Sequence, residues 1–204
     1  MHYDKAMVNG KLRRWDKFLR GFRLPEWEEV PDLGLYMDQV VVLLTQYLDY
    51  LPPEIKEARV ITASTINNYV RMKIMPEPLK KKYYRIHIAY LIMICTLKQS
   101  LPIAAVQKLI PMGLALEEVK SIYSAYVQRH RASALYFIEQ VRSAAASILD
   151  GDDGNTDATA ATTDLIAAAA IAGGFARLMA EKLMGLEGRL LADEPGAAAL
   201  PGIE

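Results

Sequence analysis

Ser64, Asn67, Asn68 and Arg71 stand at i, i+3, i+4 and i+7 of one short segment, so on a helix they share a face. These are side chains that can read a nucleic acid. Asn pairs in bidentate fashion with adenine, Arg with guanine or a phosphate, and Ser reaches either. Ile66, Tyr69 and Val70 fall on the other side and supply an apolar back. Just beyond, Lys80, Lys81, Lys82 and Arg85 are interleaved with Tyr83 and Tyr84, which is how a wing that grips the phosphate backbone would look. With Thr65 and Lys73 added at the edges, the candidate DNA-binding set is Ser64, Thr65, Asn67, Asn68, Arg71, Lys73, Lys80, Lys81, Lys82, Tyr83 and Arg85. A solvated helix or a solvated lysine loop would use the same residue types. What distinguishes this stretch is the order: polar helix, lysine run, then a strongly apolar segment.

The elements that must hold these residues can be read on either side. Thr62 is a good N-cap for the polar helix, because its hydroxyl can accept from a free N–H of the first turn. Pro76 and Pro78 are expected to end it. Upstream, Met37 to Leu51 reads as a well-buried helix with a stripe of Val41, Leu44, Leu48 and Leu51, closed by Pro52 and Pro53. Glu54 to Arg59 could add one more turn. Downstream, Ile86 to Leu97 is apolar almost all round, as a central core helix would be. Pro102 starts a short helix with Ile103, Val106, Leu109 and Ile110 facing inwards, ended by Pro111 and Gly113.

The remaining chain flanks this unit. Leu12, Trp15, Leu19 and Phe22 predict an amphipathic first helix with Lys11, Arg13, Arg14, Lys17 and Arg20 outside. A loop rich in proline follows, anchored by Trp27. Leu116 to Leu149 reads as the longest helix, with two apolar patches separated by Gln128, Arg129, His130 and Arg131. The expected organisation is a helical and winged DNA-binding domain at 1–115 and a long, possible dimerisation helix at 116–149. An acidic flexible linker at 150–163, an alanine-rich helix at 164–192 and a disordered tail at 193–204 complete it. The fold class is mainly α: a winged helix-turn-helix within a helical bundle, with at most a short β wing and a long C-terminal helix.

Whole-chain totals hide the useful signal. The formal net charge of the 204 residues is zero, yet Lys56 to Ile110 carries ten basic residues against two acids. Asp150 to the end carries ten acids against three basic residues. A basic middle of this kind suggests a polyanionic partner. Cys95 is the single cysteine, so an intrachain disulfide and a thiol zinc site are excluded. His2, His87 and His130 have no metal-ligand spacing, so no metal or cofactor is expected. GxSxG, P-loop, GxGxxG and HExxH motifs are absent, and the chain is not expected to be an enzyme. The start lacks the apolar stretch of a signal peptide, and no run reaches the roughly 18–20 uninterrupted apolar residues of a membrane span. The expected setting is the cytoplasm, with no membrane partner.

The segment ITASTINNYVRMKIMPEPLKKKYYRIHIAYLIMICTLKQSLPIAAVQKLI resembles the MerR-like winged helix-turn-helix. Thr62, Thr65, Ile66, Tyr69, Ile74, Pro76, Tyr83 and Arg85 hold matching places. It departs from that pattern at Asn67, Asn68 and Val70, and at Lys73 where the pattern has Gly. More closely, LPEWEEVPDLGLYMDQVV together with ITASTINNYV, KKKYYRIHIAYLIMICTLKQ and QKLI is similar to a bacterial domain-of-unknown-function family numbered 1836. That resemblance implies a transcriptional regulator. The expected function is therefore a sequence-specific regulator of double-stranded DNA, acting as a homodimer, with an unidentified small-molecule effector left open. The alternative is a helical protein–protein adaptor that keeps the helix-turn-helix shape without binding DNA.

Overall fold

The apolar segment after the lysines forms the centre of the molecule. In the computed structural model, which describes residues 2–50, 61–149 and 158–188, every residue from His87 to Thr96 is buried. These residues belong to one helix, Arg85–Leu97, here α4 in chain order. The helices before it are α1 (Lys5–Gly21), α2 (Met37–Tyr47) and α3 (Ala63–Arg71). After it come α5 (Ile103–Leu109), α6 (Leu116–Ala144), the single turn α7 (Ala146–Leu149) and α8 (Ala158–Met184). Helix α4 packs between α2 and α6, and α1 lies along α6. Among the described residues β pairing is confined to two isolated antiparallel bridges, Leu35 with Tyr83 and Leu79 with Lys82.

Sequence explains most of these placements. Asp4 caps α1 by accepting from the Met7 amide at 2.7 Å. Helix α2 buries Val40, Val41 and Leu44, with Leu48 just past its end. It stops at Tyr47 rather than Leu51, and the expected turn at 54–59 lies outside the described residues. Trp27 anchors its loop as expected: its ring meets Tyr123 edge-on at 5.9 Å, and the Tyr123 hydroxyl donates to the Pro25 carbonyl at 2.8 Å. In α5, Ala105 and Val106 are buried, Ile103 packs on the core and Ile110 just past the helix end is buried, but Leu109 is exposed rather than facing inwards. The amphipathic reading of α1 holds for buried Leu19. Trp15 sits at the rim against Phe137, and Phe22 lies beyond the helix end.

The polar stretch that interrupts α6 proves to be joinery. Arg131 donates to the Phe22 and Arg20 carbonyls at 2.6 and 3.0 Å, placing a cation on the free carbonyls that end α1. His130 is held by Phe22, Tyr50 and Tyr126, with the Tyr50 hydroxyl at 2.9 Å, and burial pushes its pKa below the ordinary imidazole value. The single long helix expected to Leu149 breaks at Ala145. There Asn9 and Arg13 of α1 donate to the Ile148 and Leu149 carbonyls and draw the last turn towards α1.

The C-terminal part departs most from expectation. Residues 150–157 of the expected linker lie outside the described residues, but 158–163 are helical. Thr162 is buried there, and the Tyr3 amide donates to Thr159 Oγ1 at 3.2 Å. Alanine favours helix, and these tertiary contacts overrule the linker-like composition. Helix α8 is long and apolar enough to cross a membrane, with a window of mean hydropathy 1.4, which corrects the expectation that no segment is. None of that window is buried.

Candidate nucleic-acid interface

Helix α3 begins as its sequence requires. Thr62 Oγ1 accepts from the Thr65 amide at 3.2 Å and shares a 2.9 Å contact with the Thr65 hydroxyl. Ile66 and Tyr69 are buried, which turns the opposite face outwards. Ser64, Asn67, Asn68 and Arg71 are all exposed on that face. Arg71 Nη2 donates to Asn68 Oδ1 at 2.7 Å, so these two side chains are held as a pair.

The helix ends for a reason other than its prolines. Pro76 lies beyond the stop. The Ile74 amide donates to the Tyr69 carbonyl at 3.2 Å and the Lys73 amide to Val70 at 3.0 Å. With Lys73 at φ 56°, this is a Schellman ending. Glycine is the usual residue there, because a side chain in the left-handed region crowds its own backbone. The chain places a lysine instead. Gln107 of α5 donates to the Met72 carbonyl at 3.1 Å and ties down the same end.

Ile74 and Met75, both buried, lead from this turn to the lysines. Leu79 and Lys82 exchange amide–carbonyl bonds of 3.0 and 2.9 Å around Lys80 and Lys81, whose φ values are 50° and 64°. That is a two-residue hairpin of the kind that favours Asn-Gly. Again lysines occupy backbone positions suited to glycine, and Lys80 and Lys81 are exposed at the tip. Lys82 lies over the Tyr36 ring at 5.4 Å. A Cβ at Gly34 would meet the Lys82 stem at 2.7 Å and the Tyr84 hydroxyl at 3.1 Å, so Gly34 leaves the room this hairpin needs.

Two of the expected site residues turn inwards. Tyr83 is 3% exposed, and its amide and carbonyl pair with Leu35 at 2.8 and 2.9 Å. It anchors the hairpin to the strand-like residues before α2 and is not placed to hold a phosphate. Arg85 is half-buried: its Nε donates to the Val30 carbonyl at 2.7 Å and its guanidinium lies 5.8 Å from the Trp27 ring. Its Nε and guanidinium face are therefore engaged by the Trp27 loop, while the side chain stays partly exposed. His87, which the sequence presented only as an isolated histidine, is the matching anchor. Its Nδ1 accepts from the Tyr84 amide at 3.0 Å, which leaves Nε2 to donate to the Glu77 carbonyl at 2.9 Å. No spacing signal marks such a residue, because its partners are backbone groups.

The sequence profile of a domain of unknown function, DUF1836, matches residues 25–143. The chain belongs to the DUF1836 family. The family segment runs from the Trp27 loop almost to the end of α6, so α3 and the lysine hairpin both lie inside it. Helices α1, α7 and α8 lie outside it. No curated protein and no solved structure matches the chain.

Burial pushes the Cys95 thiol up to about 12, so it remains an uncharged core group. Among the described residues no cluster of His, Cys, Asp or Glu could hold a metal ion. Tyr123 and Tyr126 serve the core, and Tyr136 is exposed. The basic face of α1 is partly engaged, with Arg20 on Asp16 and Glu139 and Arg13 on Asn9. A cleft of about 310 Å³ between α1 and α6 is lined by Arg13, Trp15, Asp16, Phe137 and Arg142.

Proposed function

We propose that this DUF1836 protein is a sequence-specific DNA-binding transcriptional regulator of the MerR-like winged helix-turn-helix kind. Helix α3 enters the major groove and the lysine hairpin holds the phosphates beside it. The observation that carries this reading is the placement of Lys73, Lys80 and Lys81. All three hold left-handed backbone conformations within about ten residues of Arg71 along the chain, and all three are exposed, where glycine would be about 1–2 kcal/mol less strained per residue. Backbone strain kept at exposed cationic positions motivates a functional reading, in which charge is needed at a fixed point. The reading supports Ser64, Asn67, Asn68 and Arg71 as base-reading residues, Lys80, Lys81 and Lys82 as phosphate-holding residues, and Tyr83 and Arg85 as positioning residues.

Lys73→Gly separates the two demands. The variant is expected to be more stable by roughly 0.5–1 kcal/mol, because the relief of strain exceeds the entropy glycine adds to the unfolded chain. It is also expected to bind duplex DNA more weakly, with a flatter salt dependence. Denaturant midpoints and affinity titrations at several salt concentrations check both. Selection of bound sites from a random duplex pool tests the function itself, and an enriched consensus is the expected result. If no sequence is enriched and low salt does not retain the protein on DNA, the reading fails and the protein-adaptor reading takes its place.

A further inference from the structure

Helix α8 carries an apolar seam on the side away from the body. Its inward face is marked by buried Thr162 and by Ala180 and Met184, which pack on the core. On the opposite face Asp164, Ala168, Ile171, Phe175, Leu178 and Lys182 follow at spacings of four, three, four, three and four residues. That is the spacing of a helix-pairing seam. All six are exposed, with Ile171 60%, Phe175 68% and Leu178 47% accessible. An exposed, contiguous apolar stripe of this kind marks a contact site.

The ends of the seam choose the occupant. Asp164 and Lys182 carry opposite charges at equal distances from the middle of the stripe, and no ion pair joins either to another described residue. We infer that α8 pairs with α8 of a second copy of this chain in antiparallel orientation, about a two-fold axis between Ile171 and Phe175. Ile171 then faces Phe175 of the second copy, Ala168 faces Leu178, and Asp164 faces Lys182. A small residue meets a large one, and each acid meets a base. The same patch serves both copies, as a closed two-fold dimer requires. The paired length, from Asp164 to Lys182 at about 1.5 Å per residue step, is near 27 Å. A parallel pair would set Asp164 on Asp164 and Lys182 on Lys182.

A membrane fits the helix less well. To span a bilayer, α8 would have to leave the core contacts of Thr162, Ala180 and Met184. A helix lying on an anionic surface carries a lysine- and arginine-rich polar face, whereas here Arg177 is paired with Glu181 at 2.9 Å.

The inference is independent of DNA, so the test is made without it and its failure leaves the proposed function standing. Sedimentation of the full chain over a range of concentrations is expected to show a monomer–dimer equilibrium. Phe175→Glu is expected to weaken it at least about tenfold, with the melting curve of the dilute chain unchanged because Phe175 is exposed on the outer face. Ala168→Cys mixed with Leu178→Cys is expected to give a cross-linked dimer with a short bis-maleimide, and neither variant alone should do so efficiently. A chain that stays monomeric, a Phe175→Glu variant that dimerises like the parent, or Ala168→Cys alone cross-linking as well as the mixture would each overturn the inference. So would flotation with phosphatidylglycerol vesicles that Phe175→Glu abolishes, which would assign the seam to a membrane.

Discussion

Replacing Lys80, Lys81 and Lys82 together by alanine is expected to weaken binding to every duplex sequence alike. The slope of log affinity against log salt should flatten by roughly 0.9 for each phosphate that the variant no longer neutralises. The fold should survive, because alanine is no worse than lysine in the left-handed positions of exposed Lys80 and Lys81, and at Lys82 the loss is the contact over the Tyr36 ring. The asparagines should behave differently. Asn67→Ala is expected to relax the preference at one base pair, by about 1–3 kcal/mol, with the salt slope retained. Asn68→Ala should relax two, since Asn68 Oδ1 also holds the Arg71 guanidinium at 2.7 Å. Affinity titrations on the selected site and on its single-base variants, at several salt concentrations, separate these effects. If the lysine triplet leaves the slope untouched, the hairpin does not face DNA.

These distinctions were partly legible in the residues. The Thr62 cap, the buried back of Ile66 and Tyr69, and the apolar core segment after the lysines all depend on contacts within a few residues, so periodicity and capping rules reach them. The end of α3 was out of reach. Lysine is a good helix former, and nothing in its type announces φ 56° at Lys73. Proline was the visible stop signal, and the Schellman bonds act before the chain arrives at it. The roles of Tyr83 and Arg85 depend on Leu35, Val30 and Trp27, about fifty residues earlier. In a short hairpin one residue of register decides which side chain turns inwards, and local spacing does not set that register. The first turns of α8 were hidden by composition. Threonine, aspartate and alanine read as linker until Thr162 is seen packed in the fold.

Tyr83→Ala is the substitution expected to cost the fold most within this site, and it tests the division between surface and anchor. The ring is buried, sits edge-on to His87 at 5.8 Å, and covers the junction where His87 ties Tyr84 to Glu77. Removing a buried aromatic ring costs about 3–5 kcal/mol, a large share of the roughly 5–15 kcal/mol that holds a domain of ordinary stability. The Leu35 bridge would lose its side-chain support, and the lysine tip would lose its fixed position. Tyr83→Phe keeps the ring and should change stability by no more than about 0.5 kcal/mol, with the affinity for DNA unaltered at each salt concentration. Denaturant unfolding of both variants, followed by salt titrations of the phenylalanine form, makes the comparison. If Tyr83→Phe weakened binding to every duplex alike while leaving stability intact, the phenol would lie on the phosphates and the buried placement would be wrong. The same logic extends to Arg85, where alanine removes the bond to Val30 and the contact with Trp27: unfolding should become easier while the salt slope stays as it was.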